Sequence, residues 1–190
     1  MPEKLTKKQR RRATDQAILD AAIEEFAEKG FARSRVLNIA KKAGISQGLV
    51  SQNFGNKERL FMTATSVVDS AFFAPEVANL DVKELLSFII DSWKKLYKDK
   101  PVHFKLLKML TCSTDLPEII EKGVEARFRL SPVYAAVEQA QAKGHFPSGD
   151  VQEIMWDLFK VAITLIYYFN KSGTEMPGND FFLQLVSYKD

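Results

Sequence analysis

A chain of 190 residues, 46% hydrophobic and 27% charged, is long enough to bury a sizeable core and has the composition of an ordinary soluble globular protein. Its lone cysteine, Cys112, excludes an internal disulfide and fits a reducing cytoplasm, and the charged N-terminus carries no secretory signal. The longest uncharged apolar stretch, residues 161–170, is roughly half of what a membrane-spanning helix needs, so no membrane partner is expected.

The net charge of +3 divides unevenly. Residues 1–60 hold 13 Lys/Arg and 7 Asp/Glu, whereas residues 61–190 hold 14 and 17. Aromatics divide the other way, with both Trp, all five Tyr and ten of fourteen Phe beyond residue 61. A basic module over residues 1–60, suited to phosphate, is expected to precede an aromatic-rich helical body over residues 61–190.

In chain order, residues 1–12 carry Lys4, Lys7, Lys8, Arg10, Arg11 and Arg12. They read as a solvated tail that can also lie along DNA phosphates or enter a minor groove. The first helix is expected over Thr14–Lys29, with Ile18, Ala22 and Phe26 on one stripe and Gly30 as its C-terminal cap. Ser34 is placed to cap a second helix through Ala43. Small Ala40 allows a close helix crossing, Gly44 can take a left-handed turn, and Ile45 follows it into the core. Ser46 then caps a third helix, Gln47–Phe54, anchored by Val50. The spacing fits a helix-turn-helix whose second helix enters the DNA major groove, and also an ordinary helical hairpin.

Asn56 caps a fourth helix from Lys57 to about Phe73, ahead of Pro75. The body continues with a helix over Val82–Lys98 capped by Asp81, a second from Pro101, and a third from Pro117 to Lys143 with an irregularity at Ser131–Pro132. Asp150 opens a helix to about Asn170, and a last one is expected over Asn179–Tyr188. The fold class is all-α, about nine helices in total.

Residues 13–64 resemble the DNA-binding domain of the tetracycline-repressor (TetR) family. The residues carrying the likeness are Ile18-Leu19-Asp20-Ala21-Ala22, Phe26-Ala27-Glu28-Lys29-Gly30-Phe31, Ile39 through Ser46, Gly48, Phe54, and Asn56-Lys57-Glu58-Arg59-Leu60. Where the family usually carries a phosphate-contacting Tyr, this chain has Ser51, followed by Gln52 and Asn53 where His is frequent. The resemblance implies a regulator that binds double-stranded DNA as a homodimer, with a small-molecule effector in its helical body. The operator sequence does not carry over.

The third helix turns Gln47, Gly48, Leu49, Ser51, Gln52 and Asn53 away from its apolar side, as candidates for base readout: Gln and Asn pair with adenine, and Leu49 can touch a thymine methyl. Ser34, Arg35 and Lys57, at helix starts, are candidate phosphate contacts together with Arg11 and Arg12. In the body, Trp93, Phe104, Met109, Phe128, Tyr134, Trp156 and Phe159 are either plain core or the lining of an effector pocket. His103, Cys112, Arg127 and Asp157 are candidate polar contacts there. A wide apolar face on the Asp150-capped helix and Tyr167, Phe181, Phe182 and Leu185 suggest the subunit interface. Two His 42 positions apart, with no Gly-rich phosphate loop, metal spacing or nucleophile elbow, argue against an enzyme, a metal or a cofactor. An architectural or partner-regulated DNA-binding protein without an effector is the alternative.

Overall fold

The computed structural model describes residues 6–187, with the side chains of Ala78 and of residues 185–187 outside the description. The described residues form ten α-helices and no strand: α1 (Lys7–Arg33), α2 (Val36–Lys42), α3 (Gln47–Phe54), α4 (Lys57–Val68), α5 (Val82–Asp99), α6 (Pro101–Cys112), α7 (Glu118–Arg129), α8 (Pro132–Ala142), α9 (Val151–Ser172) and α10 (Asn179–Ser187). The chain divides into two compact units, Met1–Val67 and Val68–Asp190.

In the first unit, α1 begins seven residues earlier than the apolar stripe suggests. Thr6 and Gln9 form a capping box: the Gln9 amide donates to Thr6 Oγ1 and the Thr6 amide to Gln9 Oε1. Arg11 and Arg12 are therefore helical, not part of a loose arm; Lys4 lies outside the described residues. Gly30, at φ 73° and ψ 171°, interrupts α1 where the cap was expected. The turn beyond it folds Phe31 onto Phe26 and Phe61, with ring centroids 4.9–6.2 Å apart.

The buried carboxylate of Glu25 ties α1 to α2. Its side chain is 2% exposed and lies 3.5 Å from Lys42 Nζ. Asn38 Nδ2 donates to its Oε1 at 2.9 Å, and the Arg35 amide at the start of α2 also donates to it. Burial alone pushes the Glu25 pKa up, but Asn38, the Arg35 amide and Lys42 together hold it below the usual value. At the other end of α2, the Ile45 amide donates to Ala40 O and the Gly44 amide to Lys41 O, with Gly44 at φ 68°. This doubly bonded left-handed turn leads directly to Ser46, whose Oγ accepts from the Leu49 amide to start α3.

The second unit is a helical body. Where α4 was expected to continue to Phe73, it ends at Val68, and Ser70–Phe73 and Pro75–Asn79 are short 3₁₀ turns. The long helix expected from Pro117 is two helices: Ser131 caps α8 through the Tyr134 amide, and Pro132 sits at its first position, where it needs no donor. Asp81 and Asp150 cap α5 and α9 through the Glu84 and Glu153 amides. Lys94 of α5 donates to Pro177 O and Asn179 Oδ1, tethering the start of α10.

Replacing Glu25 by Gln leaves Lys42 without that charge partner. Thermal melts at pH 7 are expected to show a loss of about 1–3 kcal/mol. A carboxylate with a depressed pKa stabilises above its ordinary value of 4.5 and loses that contribution as pH falls through its folded value, so the gap to wild type should narrow by pH 3. A gap of constant size would show that the charge is not what holds α2.

Candidate functional site

The outward face of α3 is polar. Gln47, Gly48, Ser51 and Gln52 are exposed, and Leu49 is half-buried, while Val50 is buried in the unit's core. A Cβ at Gly48 would meet nothing within 4 Å, so this stretch of backbone is open to close approach. Asn53 is held differently from its neighbours: its Nδ2 donates to Asp15 Oδ1 of α1 at 2.8 Å. The amide group expected to read a base is thus engaged in fixing α3 to α1.

The expected phosphate contacts also separate. Arg11, Arg12 and Arg35 are exposed. Lys57, half-buried, places Nζ 4.3 Å from the Phe31 ring centroid and donates to Ala32 O at 3.3 Å. Burial lowers its pKa, with Glu58 opposing. Ser34 is only 3% exposed. Its hydroxyl donates inward to Phe31 O at 2.7 Å, and Arg35, not Ser34, is the residue flanking α2. The Ser34 hydroxyl is therefore turned inward and not presented to a phosphate, and the Arg35 amide next to it is bonded to Glu25.

In the body, four of the seven expected pocket residues come together. Trp93, Phe128 and Phe159 meet with ring centroids 5.1–5.6 Å apart, and Trp156 lies 6.3 Å from both Phe128 and Phe159. Tyr134 meets Phe128 edge-on, with centroids 5.6 Å apart, but does not line the cavity among these rings. Phe104 pairs instead with Tyr97, and Met109 does not line the cluster. Phe72, from the 3₁₀ turn, stacks on Phe159 at 5.1 Å and completes the group.

These rings enclose a cavity of about 10 Å³, with Asp69 and Thr111 also on its wall. Asp69 is 5% exposed and salt-bridged to Arg127. Burial raises its pKa, and Arg127 opposes this without cancelling it. Of the other candidate polar contacts, Asp157 is exposed beside Lys160, and Cys112 is exposed 3.8 Å from Thr164. A larger groove of about 980 Å³ opens at the body surface, with Lys83, Gln141, His145 and Asp180 on its walls.

The outer face of α9 carries Glu153, Asp157, Lys160 and Thr164, all exposed, together with Val161 at 43% and Tyr168 at 60% exposure. Phe181 is 41% exposed, but Phe182, grouped with it for the subunit interface, is 0% exposed within its own body. Tyr167 packs against Tyr97 with Lys108 over its ring. The Leu185 side chain lies outside the described residues.

A basic unit whose helix-turn-helix offers a polar second helix defines a DNA-binding regulatory protein. Residues 18–63 match the family model for bacterial regulatory proteins of the tetR family. The N-terminal unit thus carries the segment typical of that family. It is 29% identical over 142 residues to the fatty acid metabolism regulator protein of Bacillus subtilis strain 168, covering 72% of this chain and 70% of that one. Its fold is similar to that of a TetR family transcription regulator from Marinobacter aquaeolei VT8, with a TM-score of 0.70 at 22% identity over 93% of each chain. It is also similar to the transcriptional regulator FadR from Bacillus subtilis in complex with stearoyl-CoA, with a TM-score of 0.61 at 19% identity, covering 83% of this chain and 88% of that one. No helix among the described residues is long and apolar enough to cross a membrane.

Because Asn53 is bonded to Asp15, Asn53→Ala is expected to lower thermal stability by about 1 kcal/mol. Affinity should fall equally on cognate and unrelated duplexes in a binding titration. A loss confined to the cognate duplex would return Asn53 to base readout.

Proposed function

We propose that the protein is a repressor that binds a palindromic operator as a homodimer in the cytoplasm and is released by a small apolar or aromatic effector bound in its helical body. The observation that carries the DNA-reading part is the run of exposed residues on α3, Gln47, Gly48, Ser51 and Gln52. Gln47 and Gln52 each offer a donor and an acceptor suited to adenine N7 and N6, and Leu49 can lie against a thymine methyl. Arg11, Arg12 and Arg35, with Lys57, supply phosphate contacts that fix register without reading sequence.

The exposed Val161 and Tyr168 of α9 and Phe181 of α10 support a subunit interface on that face, with Tyr167 and Phe182 serving the body's own packing. Two subunits then present recognition helices to half-sites roughly 34–36 Å apart. An effector switches such a dimer only to the extent that it binds the DNA-free state more tightly. A second reading, regulation without a small molecule, is favoured by the small volume enclosed by the aromatic cluster, about 10 Å³, against the several hundred Å³ usual for a ligand site.

Selection of bound sequences from random duplex DNA tests the proposal first. An enriched palindrome with half-sites about one turn apart supports the dimeric reader; strong binding without a pattern overturns it. On the selected site, Gln52→Ala is expected to cost about 1–3 kcal/mol and to cost little on unrelated DNA. Lys57→Ala is expected to weaken binding to every duplex and to reduce the slope of log affinity against log salt by about one unit. An unchanged slope would remove Lys57 from the phosphate contacts.

A further inference from the structure

Two buried polar groups in the aromatic cluster have no hydrogen-bonding partner among the described residues: Oδ1 of Asp69 and Nε1 of Trp93. Both residues are at least nine-tenths buried, at 5% and 1% exposure, and both line the same cavity, whose remaining wall combines five aromatic rings with Leu107, Leu110, Val124 and Thr111. Buried donors and acceptors are normally met by protein or ordered water, so two orphans on one wall mark a place for an entering polar group. One orphan is an acceptor and the other a donor. The other Asp69 oxygen, Oδ2, is already taken by Arg127.

We propose that the effector's buried end is a neutral hydroxyl on an aromatic ring, donating to Asp69 Oδ1 and accepting from Trp93 Nε1. This rests on the proposal that the body holds an effector, and it adds the chemical class. Alternatives fail on the same two atoms. A hydrocarbon leaves both orphans unmet. A carboxylate accepts from Trp93 but sets like charge against Asp69, and an ammonium satisfies Asp69 while offering Trp93 no acceptor and facing the Arg127 charge. A hydroxyl both donates and accepts without bringing charge. The rings supply edges and faces for an aromatic guest.

A cavity of about 10 Å³ is the size of a single water site, so admission of a ring requires a wall to move. Phe73 is on that wall, is 40% exposed, and belongs to the one-turn 3₁₀ segment Ser70–Phe73. It is the lining ring that can swing outward at least packing cost.

The test uses the full chain and four probes: 4-ethylphenol, ethylbenzene, 4-ethylbenzoate and stearoyl-CoA. Binding is read by tryptophan fluorescence and thermal shift, and release by displacement from the selected duplex. The phenol is expected to bind at least about tenfold more tightly than ethylbenzene or the benzoate, the equivalent of one good hydrogen bond. In Trp93→Phe the phenol should weaken about tenfold while ethylbenzene changes little; the wild-type series decides the matter even if that variant folds poorly. Equal binding of the phenol and ethylbenzene overturns the inference, as does a crystal structure with a fixed water at the site and no uptake of the phenol. Release of the duplex by stearoyl-CoA but not by the phenol also overturns it, while leaving the effector-controlled reader intact. If no duplex is selected at all, the repressor reading falls, and the fluorescence series still decides the ligand class.

Discussion

The carboxylate of Glu25 is a charge held inside the N-terminal unit, and the orientation of the reader depends on it. Burying such a group costs several kcal/mol unless donors surround it. Its donors are the Arg35 amide, Asn38 and Lys42, all on or beside α2. Rotating α2 against α1 by even one residue would strip two of them together. The turn from Ala40 to Ile45 carries that constraint forward, because its two backbone bonds leave little freedom between α2 and α3. The direction in which Gln47 and Gln52 point is thus fixed by a residue two helices away.

Features whose physics spans three or four residues were legible in the sequence. Gly30, Gly44, Ser46, Asn56, Asp81 and Asp150 each act where a cap or turn demands them. The Thr6–Gln9 box is equally local, but the dense positive charge around it reads as a tail, and repulsion among exposed cations proves weaker than the capping bonds with seven more residues of helix. Ser34 illustrates the opposite limit. A serine before a helix reads as a cap, yet Arg35 takes the flanking position, its amide bonded to Glu25 ten residues before it, and Ser34 turns to Phe31. No local window contains that competition.

The aromatic excess beyond residue 61 correctly marked a clustered core, and the partition within it was not readable. Phe72 was counted on the end of a continuous α4, whereas the helix stops at Val68 and the 3₁₀ turn swings that ring onto Phe159. Phe104 shares a helix face with core leucines but meets Tyr97 of α5 across a neighbouring contact. Phe181 and Phe182 are adjacent and chemically identical, so only the packing of α10 on α5 determines that one is buried and the other exposed. Asp69 carried no signal at all, since an acidic residue there is ordinary until a half-buried Arg127 is found against it.

With Asn53 committed to Asp15, sequence discrimination by one subunit falls, on the proposed reading, to few side chains, chiefly Gln47 and Gln52. A bidentate contact separates right from wrong bases by about 1–3 kcal/mol. Two such contacts give a few kcal/mol, near the lower end of the roughly 4–10 kcal/mol by which specific sites exceed bulk DNA. Placing a second copy on a symmetric half-site doubles the discrimination without any new residue. That shortage of readers on α3 is a physical argument, independent of α9 and α10, in favour of the proposed pair.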